Sequence, residues 1–133
     1  MATFLDPLLQ DATETLALVN ARTGKVVATQ LQTAFDSAAR RKGLLGRTSM
    51  PSDAALLIAP CNGVHTFFMR FPIDVVFAAR DGRVVKVCHG VLPWRLALAF
   101  SAFATVELAA GAASAADVQK NDHLVLDIRL HIE

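Results

Sequence analysis

The chain has 133 residues, of which 53% are hydrophobic, with a mean hydropathy of +0.41 and a net charge of +1. This length predicts one domain with a substantial core, although much of the hydrophobic share is alanine, which buries little area per residue. The charges are scattered and nearly balanced, which argues against a nucleic-acid-binding face, an acidic tail or a polybasic membrane-binding segment.

In chain order, "MATFLDPLLQDATET" lacks the basic head and long apolar run of a secretory signal, so cytosolic residence is the expectation. Residues 1–14 read as a loosely held arm with an apolar patch at Phe4, Leu5, Leu8 and Leu9. Residues 15–133 read as a single domain. "TLALVNARTGKVVATQLQT" predicts a hairpin that turns at "RTGK" and returns along "VVATQLQT". Asp36 is placed to cap a helix over "SAARRKGLLG" with Gly46 as its stop. Gly43 inside that helix signals close packing or an early end. "AALLIAP" reads as a short buried strand, and "VHTFFMR" as a strand with His65, Phe67 and Met69 on one face. Pro72 breaks that strand. "IDVVFAARDGRVVKVCHGV" is the clearest hairpin, turning at Asp81-Gly82. "ATVEL" predicts a further strand, "SAADVQK" a short helix capped by Ser114, and "NDHLVLDIRLHIE" a final strand. In that strand Leu124, Leu126, Ile128 and Leu130 share one face, opposite His123, Asp127, Arg129 and His131.

The segment from Leu96 to Ala116 is long enough to test as a membrane span. Glu107 near its middle would cost about 2.5–3.5 kcal/mol there, and Gly111 weakens it further, so a strand plus a turn is expected and no membrane. Cys61 and Cys88 read as small core side chains rather than a disulfide or a zinc site. The predicted class is α+β: a mostly antiparallel, curled or barrel-like β-sheet of seven to eight short strands with two short helices.

The strings "RKGLLGR", "HTFFMRFPIDVVFAARDGRVV", "PWR", "VELAAG" and "KND" resemble the domain of unknown function 192 family over roughly residues 16 to 128. The resemblance implies a compact, mainly antiparallel β domain with a couple of helices. It supplies no catalytic residue to carry over. Relatives are often exported or lipid-anchored, and they often carry extra residues between the Met-Lys/Arg pair and the proline.

Candidate site residues therefore rest on chemistry. Asp74 begins an apolar strand and needs donors, with Arg47, Arg70 and Arg95 as candidates for a two-pronged ion pair. Capping of backbone N–H groups and a ligand-facing role are the alternatives. Histidine is the side chain suited to proton transfer near neutral pH, yet a lone histidine such as His65, beside Phe67 and Met69, is commonly a packed one. Trp94 with Arg95, in "LPWR", would form a stacking platform or simply cover one end of the sheet. Glu107 alternates with Val106 and Leu108 and is expected to face water or to pair with an arginine. Cys61, His65, Cys88 and His89 match no common metal spacing. No P-loop, dinucleotide fingerprint, nucleophile elbow or HExxH motif is present. The reading is a binding domain for a small anionic or polyhydroxyl ligand, held by Arg47, His65, Met69, Arg70, Asp74, Trp94 and Arg95, without cofactor or metal. The rivals are a hydrolase or lyase using His65 and Asp74, and a partner-binding module. Oligomeric state is not legible.

Overall fold

The computed structural model describes residues 2–10 and 15–129. Its elements run α1 (Pro7–Gln10), β1 (Leu16–Asn20), β2 (Val26–Ala28), β3 (Gln30–Ala34), α2 (Ser37–Lys42), β4 (Ala54–Ile58), β5 (Gly63–His65), β6 (Ile73–Ala78), β7 (Val84–Val91), β8 (Leu96–Leu98), β9 (Ala104–Ala109), α3 (Ala112–Ala115) and β10 (Leu124–Ile128). A five-stranded sheet in the order β3-β4-β9-β6-β7 forms the centre, flanked by a three-stranded sheet β10-β1-β2 and a two-stranded ribbon β5-β8. The α+β class with mainly antiparallel pairing holds, but β3 pairs parallel with β4. The barrel-like expectation is corrected, because the described strands form three separate sheets. Among the described residues, ten strands and three helices replace the expected seven or eight and two.

The reason lies partly at Thr29. "VVATQLQT" reads as one strand, yet the Thr29 and Gln30 N–H groups both donate to the Asp53 carbonyl, at 2.9 and 3.0 Å. The chain thereby steps from the small sheet into the large one. The other turns behave as their local chemistry dictates. Asp36 Oδ1 accepts from the Ala39 N–H at 2.7 Å, and α2 ends at Gly43 (φ 47°), short of the expected stop at Gly46. Gly82 (φ 88°) turns the β6–β7 hairpin where a Cβ would collide with the Leu124 carbonyl and crowd Phe4.

Strand alternation divides the core in two. On one face of the large sheet, Leu57, Val76, Val106 and Leu108 pack against Leu5, Leu8, Leu18 and Leu124. On the other, Leu56, Ile58, Ile73, Val75 and Phe77 pack beneath Leu44, Met69 and Ala97. The first residues are thus not a loose arm over their described part. Leu5 and Leu8 are buried, and the Phe4 N–H donates to the Arg80 carbonyl at 2.7 Å, leaving Leu9 exposed. At the far end, Leu124 is buried and Ile128 half-exposed, while Leu130 and His131 lie outside the described residues. No described helix is long and apolar enough to cross a membrane.

Candidate functional site

Glu107 lies on β9, the middle strand of the large sheet, in register with Leu56 on one side and Val75 on the other. It is 4% exposed. Facing water or pairing with an arginine was the expectation; the structure buries the residue and pairs it with no arginine. Among the described residues its carboxyl makes no hydrogen bond, and only the more distant charge of Arg47 favours its ionised form. Burial pushes its pKa from 4.5 up to about 7. Arg47 itself is spent on a 2.7 Å hydrogen bond to Gln32 Oε1. An unpaired carboxyl in a sheet centre is expensive, so its surroundings matter.

Above it runs a cleft of about 810 Å³, between α2 with its Gly43–Leu45 exit and the β5–β8 ribbon. Glu107 lines the floor; Leu44, Ile58, Val64 and Met69 supply apolar wall, with Cys61 and His65 on the ribbon side. Arg40, Arg41 and Lys42 in the last turn of α2 make the opposite rim basic. Every sealed side-chain nitrogen or oxygen among the described residues has a hydrogen-bond partner. The unbonded Glu107 oxygens therefore reach the cleft rather than a sealed void. Gly43 keeps them uncovered, since a Cβ there would stand 3.6 Å from Oε1.

Of the seven residues expected at a site, His65 and Met69 line this cleft. His65 Nδ1 accepts from the Phe67 N–H at 3.3 Å, and its ring stacks on Phe67 at 4.9 Å. Arg47 acts on the floor only through its charge. Asp74 belongs elsewhere. It holds no arginine: Oδ1 accepts from the Gly90 N–H at 2.8 Å, and Oδ2 from those of Gly111 and Ala113, each at 3.0 Å. It thus ties a bulge of β7 to the start of α3, which runs ahead of the helix expected over "SAADVQK" and contains Ser114 rather than being capped by it. It shares the sheet face of Val76, opposite the face of Ile73 and Val75 that carries the cleft, so His65 and Asp74 do not form an acid–base pair.

Trp94, Arg70 and Arg95 belong to a second surface beside the cleft. The expected alternation through "VHTFFMR" stops at Thr66, which is buried. Its Oγ1 donates to the Leu92 carbonyl at 2.6 Å and accepts from the Arg95 N–H at 2.9 Å. The Trp94 N–H donates to the Thr66 carbonyl at 3.0 Å. This lashing of two loops forces Phe68 and Trp94 into left-handed backbone, at φ 67° and 65°. That geometry is uncommon for large side chains and costs roughly 1–3 kcal/mol apiece. The two rings meet at 4.6 Å between centroids, and Trp94 also stacks on Phe67 at 5.7 Å. The Arg95 guanidinium turns back to the Pro93 and Trp94 carbonyls. Arg70 is exposed. Among the described residues no group of three or more His, Cys, Asp or Glu side chains is placed to hold a metal ion.

Comparison with solved structures gives the same fold in a protein of unknown function from Novosphingobium aromaticivorans DSM 12444. The TM-score is 0.71 at 20% identity, covering 82% of this chain and 81% of that one. A candidate transcription regulator from Sinorhizobium meliloti 1021 is similar too, with TM-score 0.71, 22% identity, and 82% and 89% covered. At such identities the likeness concerns the fold alone. No curated protein matches the chain. A family model described as "Uncharacterized ACR" matches residues 18–126.

Proposed function

The chain belongs to the domain of unknown function 192 family, and from its cleft geometry we propose that it binds a small anionic polyhydroxyl compound, of the class of sugar acids and sugar phosphates. The observation that carries this reading is the unpartnered Glu107 carboxyl, 4% exposed, at the floor of a cleft with apolar walls. Few polar groups converging in an apolar cleft is the usual form of a small-molecule site. A hydroxyl or amino group of the ligand would supply the missing partner of Glu107, and the basic end of α2 would meet its anionic group. His65 stands at the ribbon-side rim, where a ring nitrogen can take a further hydroxyl.

The test is a thermal-shift screen of sugar acids, sugar phosphates and their neutral parents against the protein, Glu107→Gln, and the double variant Arg41→Ala/Lys42→Ala. A ligand at a hundred times its dissociation constant should stabilise by about 2.7 kcal/mol. The shift should shrink in both variants and be smaller for the neutral parents. A stabilising ligand indifferent to Glu107→Gln, or no stabilising ligand at all, would overturn the proposal.

One observation favours an enzymatic alternative. A carboxyl whose pKa is pushed up to about 7 is poised for general acid–base work at neutral pH. A hydrolase or lyase would then use Glu107, with His65 across the cleft, instead of the expected His65–Asp74 pair. Turnover of a stabilising ligand, lost in Glu107→Gln, separates catalysis from binding.

A further inference from the structure

From Trp94 to Phe100 the chain reads "WRLALAF", and its packing is inverted. Every second residue is a large apolar side chain left open to solvent: Trp94 56%, Leu96 64%, Leu98 42% and Phe100 82% exposed. The residue turned inward between the two leucines is Ala97, 6% exposed, seated against the second core face. An ordinary edge ribbon does the reverse. Phe68, 71% exposed, and Leu92, 54% exposed, extend the same surface from the adjoining loops. Two of these side chains are kept at left-handed backbone positions, where a small residue would relieve the strain. Large exposed apolar side chains alternating along one ribbon, with the Phe68–Trp94 ring contact beside them, mark an interaction site.

The formal charges carried by these loops and by β7 have one sign. Arg70, Arg95 and Lys86 stand on these loops and on β7, where Lys86 Nζ donates to the Leu98 carbonyl at 2.9 Å. Between Asp53 and Glu107 the sequence has two carboxylates. Asp74 is consumed by three backbone N–H groups on the far side of the sheet, and Asp81 sits in the β6–β7 turn. A two-fold interface would place the same patch on both sides, so a second copy would bring three more cations to this face and no carboxylate from these loops. Five of the six apolar side chains stand more than half exposed, which suits insertion into a soft interface better than a fit against a rigid one. Tryptophan and phenylalanine ringed by arginine and lysine are the composition of interfacial membrane anchors.

We propose that the face bearing Phe68, Leu92, Trp94, Leu96, Leu98 and Phe100 docks on an anionic lipid surface, with Arg70, Arg95 and Lys86 facing the headgroups. It is a peripheral contact, unlike the spanning segment that the sequence argues against. It borders the cleft through Leu96 and Leu98 but does not depend on the cleft's ligand.

Trp94 is the single tryptophan of the chain, so its emission reads the contact directly. The full chain would be mixed with phosphatidylcholine vesicles, with or without about a third phosphatidylglycerol. The expected result is a blue shift, quenching by lipids brominated in the acyl chain, and co-sedimentation. Partitioning should fall at least tenfold on neutral vesicles, at high salt, or in Arg70→Glu/Arg95→Glu. Phe68→Asn and Leu96→Ser, each checked to melt like the parent, should weaken binding without touching charge. Four outcomes would overturn the proposal. These are unchanged emission with all protein in the supernatant, equal partitioning to neutral and anionic vesicles, a blue shift that grows with protein concentration in the absence of lipid, and tighter binding of the same face to polyglutamate than to anionic vesicles.

Discussion

Two buried carboxylates sit one strand apart in the central sheet and have opposite fates. Asp74 finds three backbone donors, which occupy both of its oxygens. Glu107 finds none and is held as a neutral acid over a wide range, its pKa moved from 4.5 to about 7. The sign of the linkage follows. The folded state keeps this proton where the unfolded chain has lost it, so stability is undiminished below about pH 4.5 and declines as pH rises through 7. The deficit then levels off at about 3 kcal/mol. Glu107→Gln mimics the neutral form without the titration. The variant and parent should therefore unfold at the same denaturant concentration at pH 4.5, and the variant should be more stable by about 2–3 kcal/mol at pH 8. A difference that does not change with pH would mean that Glu107 is not the desolvated group described. A ligand group that supplied the missing partner of Glu107, as proposed for the cleft, would offset this cost.

At the scale of elements, the β5–β8 ribbon and its loops are held by backbone and by Thr66, not by their exposed aromatics. Phe68→Asn removes a whole ring but places a side chain tolerant of left-handed backbone at φ 67°. Lost ring contact of about 0.5–1.5 kcal/mol and relieved strain of similar size nearly cancel. Chemical denaturation should show a change within about 1 kcal/mol, against about 3–5 kcal/mol for Phe77→Ala in the sealed core. A loss at Phe68 as large as that at Phe77 would show the aromatic cluster to be structural. The ribbon also shows where sequence reading stops. Asp36 as a cap and Asp81-Gly82 as a turn are legible because their partners lie within three residues. Thr66 is not, because its partners lie 26 and 29 residues away. Nor is Asp74, whose donors are 16, 37 and 39 residues away. Alternation correctly separates Glu107 from Val106 and Leu108 but does not tell which face a distant helix and ribbon will cover. In "WRLALAF" it invites the opposite error, since the alanines and not the leucines turn inward.

At the scale of the molecule, the first hairpin and the last strand are locked by a polar clamp. Asn20, fully buried on β1, donates to the Ala116 and Asp117 carbonyls at 3.1 and 3.2 Å and to Asp122 Oδ2 at 3.0 Å. Arg22 reaches Asp122 through Nε at 2.7 Å and Asp117 through Nη2 at 3.0 Å. The Arg22 hydrogen bonds, with those from the Gln119 N–H and Asn20, outweigh burial and pull Asp122 down to about 2, and Asp117 is lowered by Gln119 and Arg22. Here the sign is the reverse of that at Glu107. The clamp contributes fully above the ordinary carboxylate value of 3.8 and is lost as pH falls towards 2. The two effects close on a common window: acid releases the clamp from below, and ionisation of Glu107 weakens the sheet from above. Melting temperature against pH should therefore peak near 4–5, on the acid side of the range of about 5–8 typical of proteins. Asp122→Asn should flatten the acid limb and Glu107→Gln the alkaline one, each leaving the other limb in place. The clamp and the cleft floor lie on different elements and share no partner, so their effects should add. A double variant that shifts the peak by anything other than the sum of the two would mean that the small sheet and the cleft are coupled through the core between them.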